Sequence, residues 1–401
     1  MKLKDVCVDI WDCPHSTAND EGEGYPLIRT PNIGKGRFIL TGVHRVCEDV
    51  YHIRNKRAIP QDNDLIFARE APAGNVAIIK NGQKFCLGQR TVLIRPDQNK
   101  VNPDFLTYFL LAPEQQHSLL KTANGSTSSH VNMKTIRELQ IDLPNRDYQD
   151  KASLILCEYD ELIELNRRRI VILEEMAMRI YREWFVYFRF PGYEYCEFEN
   201  GLPKGWNLKS IGEIISFDRG CSYTSDEIDV EEGVNLVNLK NMKPYGGYNY
   251  NGLKKYAGRY NESHIVNKGD LILGVTDMTQ DRRTVGSVAL IPHYSETSII
   301  STDLVKVNSE IPNIFLYSMF RFGGYSKHLS EFANGSNVLH LKPSSIRKEL
   351  ILIPTMRIID LFDVQISPLI EEMETLTCQI DRLIDMRDRL LPQLMSGQLE
   401  I

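Results

Sequence analysis

Two stretches of the chain keep a helical period much longer than anything around them. In the first, Leu162, Asn166, Arg169, Leu173, Met176 and Ile180 alternate steps of four and three, the seam spacing of a helix that packs lengthwise on another helix. Adding 207 to each number gives Leu369, Met373, Leu376, Ile380, Leu383 and Arg387, and the second seam continues through Leu390 and Leu394. Matching seams predict two long helices packed on each other, with Asn166 as a polar seam residue that fixes register and orientation. The plainer alternative is two ordinary amphipathic helices, each covering its own domain. Elsewhere, short apolar runs such as Asn75-Val76-Ala77-Ile78-Ile79 and Ser287-Val288-Ala289-Leu290-Ile291, broken by Gly, Pro and Asn, predict strands and turns.

The chain also repeats itself. Residues 123–144 and 333–354 align without a gap, with nine identities at a constant offset of 210: the Ala-Asn-Gly-Ser start, His130/His340, Ile136/Ile346, Arg137/Arg347, Ile141/Ile351 and Pro144/Pro354. Asp64-Leu65-Ile66 matches Asp270-Leu271-Ile272, Gly74 matches Gly286, and Tyr108 matches Tyr317 at slightly different offsets. A tandem duplication follows, each copy a mixed α/β globular unit closed by a long helix.

The expected class is α+β, with pseudo-two-fold symmetry: globular residues 1–146, a central helix over 147–188, globular residues 189–355 and a C-terminal helix over 356–401. If the helices pair antiparallel as a coiled coil, the globular units lie at its opposite ends. A helical stretch of about 37 residues is roughly 55 Å long, or about 16 base pairs of B-DNA, so the pair can serve as a ruler.

With 401 residues the size fits two or three domains, and no run is long and apolar enough to span a membrane. The first residues, Met1-Lys2-Leu3-Lys4-Asp5-Val6, lack the pattern of a secretory signal, so a cytoplasmic location is expected. Eight scattered cysteines without a CxxC pair fit reduced, packed thiols. The formal charge of −6 argues against a chain that grips DNA over its whole surface. Divided by segment, however, residues 147–183 carry −3 and residues 356–401 carry −5, while residues 1–146 carry +3 and residues 184–355 carry −1. The acid sits in the helices.

Basic and amide residues gather with turn residues in the globular parts. Arg29, Asn32, Lys35 and Arg37 lie within Arg29-Thr30-Pro31-Asn32-Ile33-Gly34-Lys35-Gly36-Arg37, and Asn238, Lys240, Asn241 and Lys243 within Asn238-Leu239-Lys240-Asn241-Met242-Lys243. Arg and Lys suit phosphates or guanine, and Asn suits adenine in the major groove; each one singly also reads as a solvated loop. Arg282, Arg283 and the paired Asn-Gly-Ser loops (Asn124, Ser126; Asn334, Ser336) are further candidates, because Gly lets backbone amides approach a phosphate. Ordinary turn chemistry is their competing reading, and His130 and His340 read as structural. A metal site at Cys7, Cys13 and His15 is the weak alternative for a metal-dependent nuclease, since the spacing matches no zinc pattern. Phosphate-loop, dinucleotide-binding, HExxH and GxSxG motifs are all missing, as is an Asn-Pro-Pro-aromatic tetrapeptide. A recognition subunit without catalytic residues is expected, with a protein-interaction scaffold as the other reading.

The central Ile180-Tyr181-Arg182-Glu183-Trp184-Phe185-Val186-Tyr187-Phe188-Arg189-Phe190-Pro191-Gly192, then Gly201-Leu202-Pro203-Lys204-Gly205-Trp206, and the C-terminal Arg389-Leu390-Leu391-Pro392-Gln393-Leu394-Met395-Ser396-Gly397-Gln398-Leu399 resemble the DNA-specificity subunit of type I restriction–modification systems. Asp12-Cys13-Pro14-His15-Ser16-Thr17 and Arg29-Thr30-Pro31-Asn32-Ile33 are similar to the opening of a first recognition domain. The sequence departs from the family after Pro144 and Pro354, where no Glu-Gln pair follows. The resemblance implies two target-recognition domains, each reading half of a bipartite, asymmetric target in double-stranded DNA across an unread gap. It implies two methyltransferase subunits, which bind S-adenosylmethionine and methylate adenine N6, and restriction/translocase subunits that use ATP and Mg; this chain itself would hold no cofactor and no metal.

Overall fold

The computed structural model describes residues 1–121 and 130–401. They form two compact units: residues 1–166 with 379–401, and residues 167–378.

In the first unit, strands Cys7–Asp12, Thr91–Pro96, Leu65–Ala68 and Val76–Ile78 form an antiparallel sheet in that spatial order. Every residue of Leu65-Ile66-Phe67-Ala68 is buried, which explains why the run lacks polar alternation. Leu65 and Phe67 face a core shared with Phe105, Leu106, Phe109 and Leu394, while Ile66 and Ala68 face a second core with Ile28, Ile33 and Phe85. A smaller sheet flanks it, Tyr25–Ile28 running parallel to Cys86–Leu87 and antiparallel to Arg45–Val46. The helix Pro103–Leu111 begins where Asn102 accepts the Phe105 N–H at 3.0 Å and Pro103 supplies a first-turn φ, a pairing that satisfies an orphan donor without losing one.

The second unit repeats this plan. Strands Ile215–Arg219, Leu304–Ser309, Leu271–Gly274 and Val288–Leu290 form the same antiparallel order. Val234–Val237 runs parallel to Ser298–Ile300 and antiparallel to Lys254–Tyr256, with Ile265–Val266 added at the edge. The strands expected around 75–79 and 287–291 are Val76–Ile78 and Val288–Leu290. The duplication is thus one of topology as well as sequence.

The two long helices are Arg146–Phe185 and Met356–Met395, 40 residues each. Both compact units take a part of each helix, and within each unit the parts run antiparallel. In the first, Tyr148 Oη donates to the Leu394 carbonyl (3.1 Å), Arg387 Nη1 to Asp160 Oδ1 (2.6 Å), and Asn166 Nδ2 to Gln379 Oε1 (3.3 Å). In the second, Arg169 Nη2 pairs with Glu372 Oε1 at 2.5 Å, and Tyr181, Trp184 and Phe185 surround Phe362 with ring centroids 6.1, 5.7 and 4.8 Å away. Tyr181, Trp184, Phe185 and Phe190 of the central motif are therefore core while Tyr187 is exposed, and Trp206 packs on Phe185.

One expectation is corrected. The buried face of the first helix carries Ile163, Asn166 and Ala177, with Ile170 and Leu173 packed beside them. Leu162 and Met176 are 47% and 44% exposed, and Arg169 sits at the rim in its ion pair. Neighbouring apolar residues such as Leu162 and Ile163 compete for the seam in any such pattern, and the small Ala177 wins because it allows close approach. The second seam, with Met373, Leu376, Ile380 and Leu394 buried, is as expected.

Candidate nucleic-acid interface

Each unit carries a hairpin on the same frame. In the first, Ile33 and Phe38 pair across the loop Gly34-Lys35-Gly36-Arg37. The Gly34 N–H donates to the Arg37 carbonyl and the Gly36 N–H to the Val76 carbonyl, both at 2.8 Å. Gly36 has φ +81°, the left-handed conformation that favours glycine. In the second, Met242 and Tyr248 pair across Lys243-Pro244-Tyr245-Gly246-Gly247. There the Lys243 N–H donates to the Gly247 carbonyl and the Gly247 N–H to the Val288 carbonyl, both at 2.8 Å.

Equivalent asparagines lock both hairpins. Buried Asn32 accepts the Arg29 N–H (3.2 Å) and donates to the Ile39 carbonyl (3.1 Å). Fully buried Asn241 accepts the Asn238 N–H (2.9 Å) and donates to the Asn249 carbonyl (3.0 Å). Asn238, also buried, accepts the Lys240 N–H (3.0 Å) and donates to the Gly252 carbonyl (2.7 Å). These three amides, expected as base readers, hold the loops from inside. Buried amides with satisfied partners cannot turn outward without leaving those partners orphaned.

Outward-facing groups are fewer. Lys35 and Lys240 are exposed, and Arg29 is half-buried. Arg37 is exposed but pairs with Glu164 of the first long helix at 3.0 Å. Lys243 is half-buried in a small cleft that Glu174, Tyr248, Tyr317 and Arg321 also line. Arg282 and Arg283 are exposed on the loop after Asp277; Arg283 pairs with Asp281 at 2.7 Å. Burial works to raise the Asp277 carboxyl, but the Thr284 and Thr279 N–H groups outweigh it and hold it at about 2. Asn334 and Ser336 are exposed, Asn334 donating to the Phe332 carbonyl and the Ser336 carbonyl accepting from Gln280. Asn124 and Ser126 lie outside the described residues. The histidines differ: His130 lies between Arg69 (2.8 Å) and Glu70 (2.9 Å), with its pKa lowered by burial and then by Arg69. His340 is exposed, with its ring Nδ1 3.5 Å from Thr276 Oγ1.

Beneath each hairpin is a tyrosine–carboxylate–arginine node that the sequence did not disclose, although Tyr108 and Tyr317 align in the repeat. In the first unit Asp160 Oδ2 accepts the Tyr108 hydroxyl at 2.8 Å and Oδ1 accepts Arg387 at 2.6 Å; a Cβ on Gly36 would lie 3.5 Å from Oδ2. In the second unit Arg321 pairs with Glu174 at 2.7 Å and with the Tyr317 hydroxyl, and its Nη1 lies 3.1 Å from a Cβ placed on Gly247. Each node lies against a hairpin glycine and includes a carboxylate of the first long helix.

Residues 1–175 match the family model of the type I restriction modification DNA specificity domain. The chain as a whole is similar to type I specificity subunits. Across 91% of its length it is 27% identical to the type I restriction enzyme MjaIX specificity subunit of Methanocaldococcus jannaschii, covering 84% of that protein. It is 22% identical to the HindI specificity subunit of Haemophilus influenzae, over 86% of this chain and 88% of that one. The crystal structure of the type I S subunit from M. genitalium shares the fold, with a TM-score of 0.57 at 16% identity over 98% of this chain and 95% of that one.

Among the described residues no group of three or more His, Cys, Asp or Glu is placed to hold a metal. Cys7 and Cys13 are buried core thiols, Cys7 pushed up to about 12 by burial, and Cys13 Sγ accepts the Thr91 N–H; metal ligation needs thiolates, so the alternative through Cys7, Cys13 and His15 gains no support. Among the described residues, no helix is long and apolar enough to cross a membrane.

Proposed function

We propose that this chain is a type I DNA-specificity subunit that reads a bipartite, asymmetric double-stranded DNA target, one half-site through residues 1–146 and the other through residues 189–355. The helices within 147–188 and 356–401 set the unread gap. The observation that carries this reading is the pair of equivalent hairpins with unlike tips, Gly34-Lys35-Gly36-Arg37 and Lys243-Pro244-Tyr245-Gly246-Gly247. One scaffold held twice in the same frame, with different exposed chemistry, suits two half-sites of different sequence. DNA contact falls to the exposed groups Lys35, Lys240, Arg282, Arg283, Asn334 and Ser336 and to the half-buried Arg29, with Asn124 and Ser126 added from the repeat.

The chain places two methyltransferase subunits, each over one adenine per half-site, which must leave the duplex for methylation at N6. S-adenosylmethionine belongs to those subunits, and ATP and Mg to restriction/translocase subunits that join them. The modest charge of the globular parts, +3 and −1, supports partners that share the phosphate grip. The complex works in the cytoplasm. Methylome sequencing of a host with and without the gene tests the reading, together with exchange of residues 1–145 for those of a related chain. A new first half-site with the second unchanged is expected, and an unchanged motif would refute the reading.

A further inference from the structure

The second hairpin presents a side chain that the basic-residue reading passes over. Tyr245 stands at its tip, 65% exposed, where the first hairpin presents Lys35. Its φ is +65°, a conformation that a bulky side chain adopts only when its surroundings impose it. Three hydrogen bonds do so: Tyr245 N–H to the Arg283 carbonyl (2.7 Å), Gly246 N–H to the Lys243 carbonyl (3.0 Å), and Gly247 N–H to the Val288 carbonyl (2.8 Å). Below them the Arg321–Glu174 pair fills the space against Gly247. The ring is thus held outward on a rigid base.

The first of those bonds also joins the hairpin to the loop that carries Arg282 and Arg283, both exposed. Gln280 then links that loop to Ser336 at 3.0 Å. Cationic and polar groups therefore flank a protruding aromatic ring, the combination that pairs phosphate attraction with contact to a base. Gly246 and Gly247 keep the ribbon behind the ring slim, and a two-stranded ribbon fits the major groove.

We infer that Tyr245 is a base-contacting, specificity-determining residue of the second recognition domain, meeting a base edge or a thymine methyl group of the second half-site. This rests on residues 189–355 being that domain. The first hairpin, with Lys35 in the equivalent place, contacts phosphate instead, so the two halves read by different chemistry on one frame.

The test uses the full chain assembled with its modification subunit and a DNA library randomised over the second half-site, with adenine methylation as readout. Variants Tyr245→Ala and Tyr245→Gly remove the ring, and glycine also fits the positive φ. Both are expected to lose preference at one or two positions of the second half-site by about tenfold, the scale of one lost base contact, with the first half-site unchanged. Unchanged preference, or a uniform loss at every position, overturns the inference. A parallel exchange of residues 189–355 for those of a related chain separates the two failures. If the exchange alters the second half-site and the Tyr245 variants do not, only the role of Tyr245 falls; if the exchange alters neither half-site, the domain reading falls and the inference with it.

Discussion

Replacing Asp160 by alanine removes the centre of the node under the first hairpin. The Tyr108 hydroxyl, buried and donating to Oδ2 at 2.8 Å, loses its acceptor, leaving only Cys157 Sγ at 3.7 Å. An orphaned buried donor costs about 1–3 kcal/mol. Arg387 loses one of its two carboxylates but keeps Asp388 at 2.7 Å. The Asp160 and Arg387 side chains are 25% and 15% exposed, between the surface and fully buried limits, so this loss adds about 1–2 kcal/mol. The sum is about 3 kcal/mol, a drop of roughly 6–12 °C in Tm for a unit of this size. Urea and thermal unfolding of wild type, Asp160→Ala, Tyr108→Phe and the double variant measure it. A coupling of about 1–2 kcal/mol between the two sites is expected for groups in direct contact. A loss below about 0.5 kcal/mol for Asp160→Ala, or strict additivity with Tyr108→Phe, would refute the reasoning.

Lys35→Ala should weaken DNA binding nearly equally for all sequences and reduce the salt slope by about 1, as loss of one phosphate contact does; a changed base preference would contradict that role. Asp277, held at about 2 against an ordinary value near 4, stabilises the fold by about 2.5 kcal/mol at neutral pH. Because its folded pKa is depressed, that contribution is present above about pH 4 and lost as pH falls through 2. Asp277→Asn should therefore be less stable at pH 7 and converge on wild type near pH 2, as followed by urea unfolding; a gap that persists at low pH would rule out the carboxylate as its source. Inserting seven residues into each long helix at paired positions lengthens the pair by about 10 Å, or about three base pairs, and methylome sequencing should show the gap widened by that amount. An unaltered gap would mean that the partners set it.

Much of this protein was written in local pattern. A period of three and four sustained from Leu162 to Ile180 and from Leu369 to Leu394 forms a helix wherever it lies, so the helices Arg146–Phe185 and Met356–Met395 were legible. The apolar runs around Val76 and Val288 and the constant offset of 210 likewise fixed two copies of one α+β plan, because strand period and turn chemistry are short-range properties. Tertiary structure decided which way particular side chains face. Leu162 and Ile163 are equally apolar neighbours, and only the partner helix selects Ile163 for the seam. Asn32, Asn238 and Asn241 look like base readers in sequence, yet their donors and acceptors find backbone partners nearby and turn inward. Tyr245 makes the opposite choice, since its orientation depends on the distant Arg283 carbonyl and on the Arg321–Glu174 pair. Contacts between residues far apart in the chain carry no local signature, and they determine which groups remain free to meet DNA.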